Sequence, residues 1–522
     1  MRILRTFSFM SSQKTIETID GVRERMIRKK RFSAIHDQYE GMITHSLLND
    51  MEVSDVYSDS RRVREGSAFV AIPGQRENGE NFVSEAVMRG AKVIVTENHD
   101  LEFDHKAERV CVDNARIALA EIARRHNGCP DKDISLVGVT GTNGKTTVSS
   151  LVRFLLEDAG RPVGLIGTVK YNLGDREVPS FRTTPESSDL YPMLKSMLAA
   201  GCSEAVMEVS SHGIHQSRVH GLNLEISVFL NLSRDHLDYH PDMERYFCEK
   251  RKIFNGENGI LPKVAVINAD CPYGKRLIAE LPPQVRVLTF GTTDICDFRA
   301  REIEIGETES SFILDSPAGT HVVSSPMIGS FNVLNLLASL AVIYAKGRSV
   351  PDTLRKVGSF GGVDGRMEAV SENQEFKVVV DYAHTPDALR NALSVLRECT
   401  PGNLQVVFGC GGDRDRGKRM EMTRVACAGA DKIWATSDNP RTEQLSEIFK
   451  DMRKGISKGA KISFIEDRRK AIGQALDSAK KGDCVLIAGK GHEAFQEVQY
   501  SALPFDDRKV ARELLHIKSL AG

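Results

Sequence analysis

No excess of charge of either sign marks this chain of 522 residues. Lysine and arginine total 70, against 71 for aspartate and glutamate. A protein that attracts nucleic acid or an anionic membrane through its overall field needs a clear basic excess. We therefore expect neither partner, and any ligand has to be recognised by a local site.

Cysteines are few and scattered. The ten cysteines include no C-x-x-C pair, and 41% of the residues are hydrophobic. A chain of this length can build its core without disulfide bonds. The cysteines are therefore predicted to be reduced core residues of a cytosolic protein.

Long apolar runs are also missing, since none approaches the ~18 residues of a membrane span. Residues 1–10 lack the continuous apolar segment of a secretory signal, and a strongly basic stretch follows at 23–31. Two interpretations of residues 1–42 stay open. Frequent arginine and serine fit an organelle transit peptide, whereas Glu17, Asp20 and Glu24 favour a poorly ordered extension.

The remainder is long enough for three α/β domains, predicted at 43–131, 132–365 and 366–522. The last of these alternates strands with helices, and its strands are predicted at 376–380, 404–408, 432–436, 462–465 and 483–488. It lacks a G-x-G-x-x-G fingerprint after a strand, so we do not expect NAD.

The stretch from Ile134 to Thr147 is the most informative part of the chain. An apolar run leads into the glycine-rich turn GTNGKTT, and a helix should begin near Lys145. Backbone N–H groups at such a turn bind phosphate, Lys145 would reach the outer phosphates, and the Thr146 hydroxyl would hold Mg2+. The spacing departs from the common GxxxxGK[ST] loop, because Val139 stands where the first glycine would fall.

Polar side chains follow other predicted strands. Glu208 ends a strand at 203–209, and Asp235 and His236 follow a strand at 227–232. In a doubly wound sheet these ends line one crevice, so the side chains can converge on Mg2+ and phosphate. Taken alone, an Asp-His pair is more often a turn or a core histidine than a metal or phosphate site.

Several motifs, in this order, resemble those of the Mur ligases. They are DSR with GxxFVAxPG in residues 59–74, GTNGKTT, EVSSHGIxQSRVxG from Glu208, FLNLSRDHLDYH from Phe229, and DNPR from Asp438. The resemblance covers roughly residues 50–515 and implies a small N-terminal UDP-binding α/β domain, a central P-loop ATPase-like domain and a C-terminal Rossmann-like domain. One departure is an Asn-Gly turn at Asn78 where the family more often has Asp-Gly.

On that resemblance the chain is an ATP-dependent ligase that uses Mg2+. The catalytic residues would be Lys145, Glu208, His236 and Lys250, with Lys250 carbamylated by CO2 and ligating the metal beside Thr146, Glu208 and His236. Sequence alone also allows Lys250 to be an ordinary surface lysine. ATP would contact Gly141, Thr142, Asn143, Gly144, Lys145, Thr146, Thr147, Asn335, Arg366, Asp381 and His384.

The resemblance also assigns the acceptor, UDP-N-acetylmuramoyl-L-alanyl-D-glutamate. Its uridine diphosphate end would lie near Ser60, Arg61 and Gln75, and its peptide end near Thr183, Thr184, Ser210, Gln216 and Arg218. Hydroxyl, amide and guanidinium groups suit an anionic peptide.

DNPR resembles the motif of family members that add meso-2,6-diaminopimelate. Arg441 can clamp the extra carboxylate of that amino acid, whereas it would repel lysine. The pocket would consist of Arg414, Asp438, Asn439, Pro440, Arg441, Gly489 and Glu493. A lysine-adding ligase and a folylpolyglutamate synthetase remain the alternatives, and we expect a cytoplasmic monomer.

Overall fold

The computed structural model describes residues 52–74, 77–104, 106–158, 160–306 and 309–521. The predicted extension 1–42 and Gln75 lie outside these residues. Within them, every helix is too short or too polar to cross a bilayer. All ten cysteines are free thiols, and half of them are buried, namely Cys202, Cys271, Cys399, Cys410 and Cys484. The other five are only partly buried, so the expectation of core residues is wrong for them.

The first sheet is small and parallel. Its strands lie in chain order: β1 (Val56–Tyr57), β2 (Ala68–Val70), β3 (Val93–Thr96) and β4 (Glu108–Cys111). Helices α1 (Val83–Met88) and α2 (Ala115–His126) accompany them. Every residue of β2 and β3 is buried, as the short apolar runs predict for a parallel sheet covered on both faces.

The central sheet has eleven strands in the order β15-β14-β13-β12-β11-β10-β5-β9-β6-β7-β8. The neighbouring strands β13-β12-β11-β10-β5-β9-β6 run parallel. Antiparallel strands extend the sheet at both edges. The strands are β5 (Ser135–Thr140), β6 (Val163–Ile166), β7 (Lys170–Asn172), β8 (Glu177–Pro179), β9 (Glu204–Glu208), β10 (Leu224–Phe229), β11 (Val264–Asn268), β12 (Arg286–Gly291), β13 (Phe298–Ile305), β14 (Ser310–Ser316) and β15 (Gly319–Ser325).

Seven helices belong to the central sheet. They are α3 (Lys145–Leu156), α4 (Ser187–Ala199), α5 (Ser211–His215), α6 (Met243–Asn255), α7 (Pro272–Glu280), α8 (Ser330–Ala345) and α9 (Val350–Val357). Helices α3 and α8 pack together against one face. The predicted helix start at Lys145 is confirmed.

One predicted strand is shifted. The expectation of 227–232 is wrong by three residues, because β10 covers Leu224–Phe229. Leu224 and Ile226 pair with β5, while Glu225 between them forms ion pairs with Lys346 and Lys263. The charged residue conceals the start of the strand in the sequence.

The third sheet has six strands in the order β16-β17-β21-β18-β19-β20, parallel except for β16. The predicted alternation of strands and helices is confirmed. The five predicted strands begin and end within two residues of the observed positions. The strands are β16 (Glu368–Ala369), β17 (Lys377–Asp381), β18 (Leu404–Cys410), β19 (Lys432–Ser437), β20 (Ile462–Ile465) and β21 (Cys484–Ala488), followed by a separate hairpin of β22 (Phe495–Val498) and β23 (Ser501–Pro504).

Helices cover both faces of this sheet and carry two apolar clusters. They are α10 (Pro386–Glu398), α11 (Gly417–Gly429), α12 (Leu445–Arg453), α13 (Arg468–Ser478) and α14 (Asp507–Ala521). The strands of the three sheets span residues 56–111, 135–325 and 368–488; the domain boundaries at 131 and 365 stay predictions.

Candidate active site between the central and C-terminal sheets

The glycine-rich turn between β5 and α3 forms a cradle of backbone N–H groups. Helix α3 begins at Lys145, and its N-cap Gly144 makes no side-chain cap hydrogen bond. Gly144 has a φ of 88°, and a Cβ atom there would come within 2.5 Å of the Asn335 Oδ1 atom. The uncapped N–H groups at the start of α3 suit an anion such as phosphate.

Lys145 lies folded over this turn. Its Nζ atom donates to the carbonyl oxygens of Gly141 at 2.9 Å and Thr142 at 3.0 Å. Burial lowers the pKa of the Lys145 ammonium, while the Glu208 carboxylate opposes that shift. The lysine is thus held at the place where the predicted phosphates would sit.

Thr146 and Glu208, two of the predicted Mg2+ ligands, are neighbours. The Thr146 hydroxyl donates to Glu208 Oε2 at 3.1 Å. Thr168 contacts the same carboxylate, with its backbone N–H at 2.7 Å from Oε1 and its hydroxyl at 2.9 Å from Oε2. The sequence interpretation missed Thr168, although it follows the carboxyl end of β6 and the sheet-edge rule would have found it.

Asparagine side chains fix the rest of the loop. Asn231 Oδ1 accepts hydrogen bonds from the backbone N–H groups of Thr142 at 3.1 Å and Asn143 at 2.9 Å. Asn335 Nδ2 donates to Asn332 Oδ1 at 3.0 Å. Asn231 and Asn332 were not predicted as site residues, because their role depends on the approach of separate strands and helices.

Arg366 reaches the phosphate loop from the start of the third sheet. Its Nη2 atom donates to the Thr146 hydroxyl at 2.9 Å, and its guanidinium lies 4.6 Å from the centre of the Tyr382 ring. Burial raises the pKa of Asp381, and the Arg366 charge opposes that shift. Three predicted ATP contacts, Thr146, Arg366 and Asp381, are therefore grouped together.

A cavity of about 1140 Å3 opens between the central and third sheets. Its walls include most of the predicted nucleotide residues, namely Asn143, Gly144, Thr147, Asn335, Arg366 and Asp381. Pockets of several hundred to about 1,000 Å3 are typical of small-molecule and cofactor sites. The uncapped helix, the lysine and the cavity together fit a nucleoside triphosphate.

Asp235 links the two sheets by charge. The carboxylate is 4% exposed, and it lies 3.3 Å from His236 Nε2, 3.9 Å from His384 Nε2 and 3.7 Å from Lys418 Nζ. Burial alone would raise the pKa of Asp235, but these neighbours hold it below its ordinary range. His236 and His384, both predicted, thus meet at one carboxylate, whereas Lys418 was missed.

Burial works against a positive charge on both histidines. Burial lowers the pKa of His384 to about 4 and that of His236 well below its ordinary value, against the opposing charge of Asp235. His236 also has a φ of 55°, a left-handed conformation that non-glycine residues seldom adopt. Such outliers cluster at active sites.

Lys250 is buried, so the alternative of an ordinary surface lysine is wrong. It is 1% exposed, and its Nζ atom donates to Gly141 O at 2.9 Å and Thr140 Oγ1 at 3.4 Å. Burial, with the nearby Lys145 charge, holds its pKa far below the usual value. A neutral amine is the form that can react with CO2.

A metal site here needs unusual ligands. In the parts of the chain that the structure describes, no three His, Cys, Asp or Glu residues are placed to hold a metal ion together. The predicted Mg2+ ligands are compatible with that finding, because only Glu208 and His236 among them are of these residue types. The other two ligands would be the Thr146 hydroxyl and a carbamate on Lys250. Hydroxyl and carboxylate oxygens are hard ligands that suit Mg2+.

The residues predicted for the peptide end of the acceptor also converge. Thr184 Oγ1 donates to Glu208 O at 2.9 Å and to Ser210 Oγ at 3.1 Å. Arg218 donates to Thr184 O at 2.8 Å and to Gln216 Oε1 at 2.5 Å, and Thr183 Oγ1 lies 3.0 Å from Thr168 Oγ1.

The residues predicted for the uridine end lie apart from this cluster. Ser60 donates to Glu85 Oε2 at 2.7 Å, and Arg61, 79% exposed, pairs with Asp59 at 2.7 Å. The first sheet is tied to the central one by Arg62, which pairs with Asp189 at 2.7 Å and was not predicted.

Arg441 is held over a glycine turn at the carboxyl end of β18. Its Nη1 donates to Gly412 O at 2.8 Å, and a Cβ atom at Gly411 would come within 3.1 Å of that nitrogen. Its Nε lies 2.5 Å from Glu497 Oε2 on strand β22. Glu497 was missed, because the exposed hairpin β22–β23 has no clear apolar pattern.

The other pocket residues form one polar cluster. Asn439 Nδ2 donates to Glu493 Oε2 at 3.0 Å, and the buried Lys490 donates to Asn439 Oδ1 and to Glu493 Oε2, both at 2.9 Å. Gly489 has a φ of 116°, and a Cβ atom there would come within 2.7 Å of Asp438 Oδ2. Lys490 was not predicted, although it stands in the same strand exit as Gly489 and Glu493.

Pro440 and Arg414 complete the predicted set. The Pro440 carbonyl lies where a side chain at Gly412 would have to go, with 1.9 Å to a Cβ atom there. Arg414 Nη1 donates to Asp413 O at 3.1 Å. The structure therefore brings every predicted amino-acid residue to the carboxyl edge of the third sheet.

Family comparisons match three consecutive parts of the chain. Residues 52–127 match the Mur ligase family catalytic domain, residues 139–343 the Mur ligase middle domain, and residues 365–491 the Mur ligase glutamate ligase domain.

Two curated relatives are similar over nearly their whole length. Both are named UDP-N-acetylmuramoyl-L-alanyl-D-glutamate–2,6-diaminopimelate ligase. The protein from Solibacter usitatus is 43% identical over 90% of this chain and 94% of its own, and that from Listeria monocytogenes is 41% identical over 90% and 96%.

Two solved structures are also similar to this chain over nearly their whole length. A ligase of that name is 36% identical, with a TM-score of 0.63 over 90% of this chain and 95% of its own. MurF ligase from Thermotoga maritima, solved in complex with ADP, is 21% identical, with a TM-score of 0.60 over 90% and 97%. At that identity the second similarity shows the fold alone.

Proposed function

The chain belongs to the Mur ligase family, and from this premise we propose that it joins meso-2,6-diaminopimelate to UDP-N-acetylmuramoyl-L-alanyl-D-glutamate at the expense of ATP. The observation that carries the choice of amino acid is Arg441, fixed over the Gly411–Gly412 turn by Gly412 O and Glu497. A guanidinium in fixed orientation suits the second carboxylate of diaminopimelate.

ATP would occupy the cavity between the central and third sheets. Its phosphates would meet the N–H groups of residues 141–147 and the Lys145 ammonium, while Asn335, Arg366, Asp381 and His384 would line the rest. Support comes from the uncapped start of α3 and from the hydrogen bond between Arg366 and Thr146. The start of α3 would direct N–H donors toward the phosphoryl group, and Arg366 would add positive charge.

Thr146, Glu208, His236 and a carbamylated Lys250 would hold Mg2+, which when bound supplies positive charge that stabilises the phosphates. The support for the modification is the burial of Lys250, which lowers the pKa of its amine and so favours the form that reacts with CO2. Carbamylation would convert that amine into an anion within the same enclosure.

Ligation would proceed in two transfers. First, an oxygen of the D-glutamate γ-carboxylate attacks the γ-phosphorus of ATP; the bond from phosphorus to ADP breaks, and an acyl phosphate forms. Then the diaminopimelate amine attacks the acyl carbon, inorganic phosphate leaves, and an amide remains. The chain mainly holds the reacting groups in place and stabilises the charge on the phosphoryl oxygens.

The acceptor would lie along the first and central sheets. Thr183, Thr184, Ser210, Gln216 and Arg218 would bind its peptide end, and Ser60, Arg61 and Gln75 its uridine diphosphate end. Support for the peptide end is the hydrogen-bonded cluster around Thr184, whose hydroxyl donates to the backbone oxygen of Glu208. On this proposal the acceptor carboxylate would lie beside the phosphate loop.

The amino-acid pocket would carry charges of both signs. Arg441 and Arg414 would meet the carboxylates of diaminopimelate, and Asp438, Asn439 and Glu493 its ammonium groups, with Pro440 and Gly489 shaping the walls. Burial raises the pKa of Glu493, while Lys490 and Arg468 hold the pKa of Asp438 low despite its burial. A zwitterionic end fits this arrangement better than the lone cation of lysine.

The product would be a precursor of peptidoglycan. Since ATP and UDP-linked sugars are cytoplasmic metabolites, we place the reaction in the cytoplasm, catalysed by a monomer. Two alternative functions have other requirements. A lysine-adding ligase has no use for Arg441, and a folylpolyglutamate synthetase would leave the first sheet without a role.

The test is phosphate release by the purified chain with ATP, Mg2+ and the UDP-linked dipeptide. Separate reactions contain meso-diaminopimelate, L-lysine or no amino acid, and a further one replaces the acceptor and amino acid with a folate and glutamate. We expect strong release with diaminopimelate only. Equal release with lysine would refute the choice of amino acid, and release with folate alone would refute the acceptor.

A further inference from the structure

Arg468, the first residue of α13, joins two strand ends in the third sheet. Its Nη1 donates to Ser437 O at 3.1 Å, and its Nη2 donates to Ala488 O at 3.0 Å. Ser437 ends β19 and Ala488 ends β21. The next residues along the chain are Asp438 and Gly489, which open the two loops of the amino-acid pocket.

No β-ladder can supply this link. In the sheet, β18 lies between β21 and β19, so the two strands do not hydrogen-bond to each other. Arg468 bridges them beyond the end of the ladder. Arg468 thus ties the two strand ends directly to each other at the origin of the loops, and Asn439 joins the same loops further along through Lys490 and Glu493.

Asp507, the first residue of α14, fixes that guanidinium. The carboxylate accepts from Arg468 Nε at 2.8 Å and from Nη2 at 2.7 Å, and both side chains are fully buried. A bidentate arginine–carboxylate pair holds the planar group in a single orientation. Because its three nitrogens are directed at Asp507 and two carbonyls, Arg468 has little freedom to move.

The loops that Arg468 joins are in contact with each other. A Cβ atom at Gly489 would come within 2.7 Å of Asp438 Oδ2, so the Asp438 side chain lies against the Gly489 backbone and leaves no room for a side chain there. The Arg468 charge also acts on Asp438 directly, since with Lys490 it lowers the pKa of that carboxyl.

We propose that Arg468, held by Asp507, is a positioning residue for amino-acid binding: it sets the spacing of the Asp438 and Gly489 loops and so the affinity for the incoming amino acid. This inference rests on the proposed function of the third sheet. It predicts that loosening the Arg468 clamp weakens amino-acid binding while leaving the ATP and acceptor sites intact.

The experiment compares steady-state KM values and melting temperatures for Arg468→Lys, Asp507→Asn and the paired Arg468→Met/Asp507→Leu variant. Lysine keeps the charge but cannot bridge two carbonyls and a carboxylate in one plane. Leu476→Ala is the matched control, since Leu476 is a buried residue of the same helix and packs in an apolar cluster away from the strand ends.

We expect KM for the amino acid to rise about tenfold or more in Arg468→Lys, a change of roughly 1.4 kcal/mol, with KM for ATP and for the acceptor within about twofold. Leu476→Ala should lower the melting temperature and leave all three KM values unchanged. If a clamp variant loses stability as Leu476→Ala does but keeps its amino-acid KM, Arg468 is a structural residue only and the proposal is wrong.

Two further outcomes are decisive. If Arg468→Lys does not fold, the paired variant, which leaves no unmatched buried charge, must show the same selective rise in KM, and a normal KM there overturns the proposal. If the wild-type chain prefers another amino acid, the proposed function fails, and the same comparison with that amino acid still tests the clamp.

Discussion

Arg366 Nη2 donates a hydrogen bond to the Thr146 hydroxyl over 2.9 Å. The contact joins the segment that leads into the third sheet to the phosphate loop of the central sheet. Asn143 Nδ2 makes a second link, to Asp387 Oδ2 on α10 at 3.1 Å. The cavity proposed for the nucleotide is therefore lined by residues from both sheets, so catalysis should depend on the approach of the two sheets.

Replacing Arg366 with glutamine should lower kcat about 100-fold, the scale of losing one donor aimed at a developing negative charge. The melting temperature should change little, because the side chain lies at the cavity and not in an apolar core. Arg469→Gln is the control, since Arg469 is 44% exposed and pairs with Glu513 on the surface. Full kcat in Arg366→Gln would remove this arginine from the nucleotide site.

Lys250→Ala should be nearly inactive and should regain part of its activity with formate or acetate. A small carboxylate can occupy the volume that the lysine vacates and replace the anion of a carbamate. Lys252→Ala, two residues along α6 and paired with Glu249, should behave like wild type without added acid. Activity of Lys250→Ala that is high and insensitive to formate would exclude a carbamate role.

Arg441→Ala should raise KM for diaminopimelate strongly. Loss of a bidentate contact in a partly buried site costs on the order of 2 to 5 kcal/mol, a factor of roughly 30 to several thousand. KM for ATP should be unchanged. Activity with lysine should stay low, because removing the Arg441 cation does not create a binding site for the lysine ammonium. Unchanged KM for diaminopimelate would show that the Glu497 pair is the only role of Arg441.

Stability should fall as the pH drops below about 6.5, and His240 should account for part of that fall. His240 is 2% exposed, and burial, aided by His212, lowers its pKa to about 4. Between these values the unfolded chain binds a proton that the folded chain does not, so stability is lost as the pH falls from 6.5 toward 4. The difference between these two pKa values corresponds to a loss of roughly 3 kcal/mol in the free energy of unfolding.

Urea unfolding at pH 7, 6 and 5 measures this effect. His240→Gln should lose less stability over that range than wild type, and the exposed His99→Gln should follow the wild-type curve. Parallel curves for wild type and His240→Gln would contradict the assignment of a neutral, buried His240.

Local patterns made the phosphate loop predictable. The apolar run of β5, the glycines and Lys145 act over a few neighbouring residues, so their chemistry is visible in the sequence. The same holds for Glu208, which ends a buried strand of the central sheet, and for Asp438, which directly follows a strand of the third sheet. The sheet-edge rule then places each of them at the carboxyl edge of its own sheet.

Other features depend on distant segments and could not be predicted. Asp235 meets His384 and Lys418 only because the third sheet closes on the central one. Arg468 gains its role from a strand order that a single sequence does not reveal. The hairpin β22–β23, which supplies Glu497, is largely exposed on both faces, so its apolar residues show no clear periodicity.

The central claim is that the acceptor carboxylate attacks ATP to form an acyl phosphate. Its most direct test uses an acceptor labelled with 18O in both oxygens of the D-glutamate γ-carboxylate, with mass spectrometry of the released phosphate. We predict one 18O atom in each phosphate and one in the new amide. Unlabelled phosphate, with the displaced 18O atom found in water, would contradict the account.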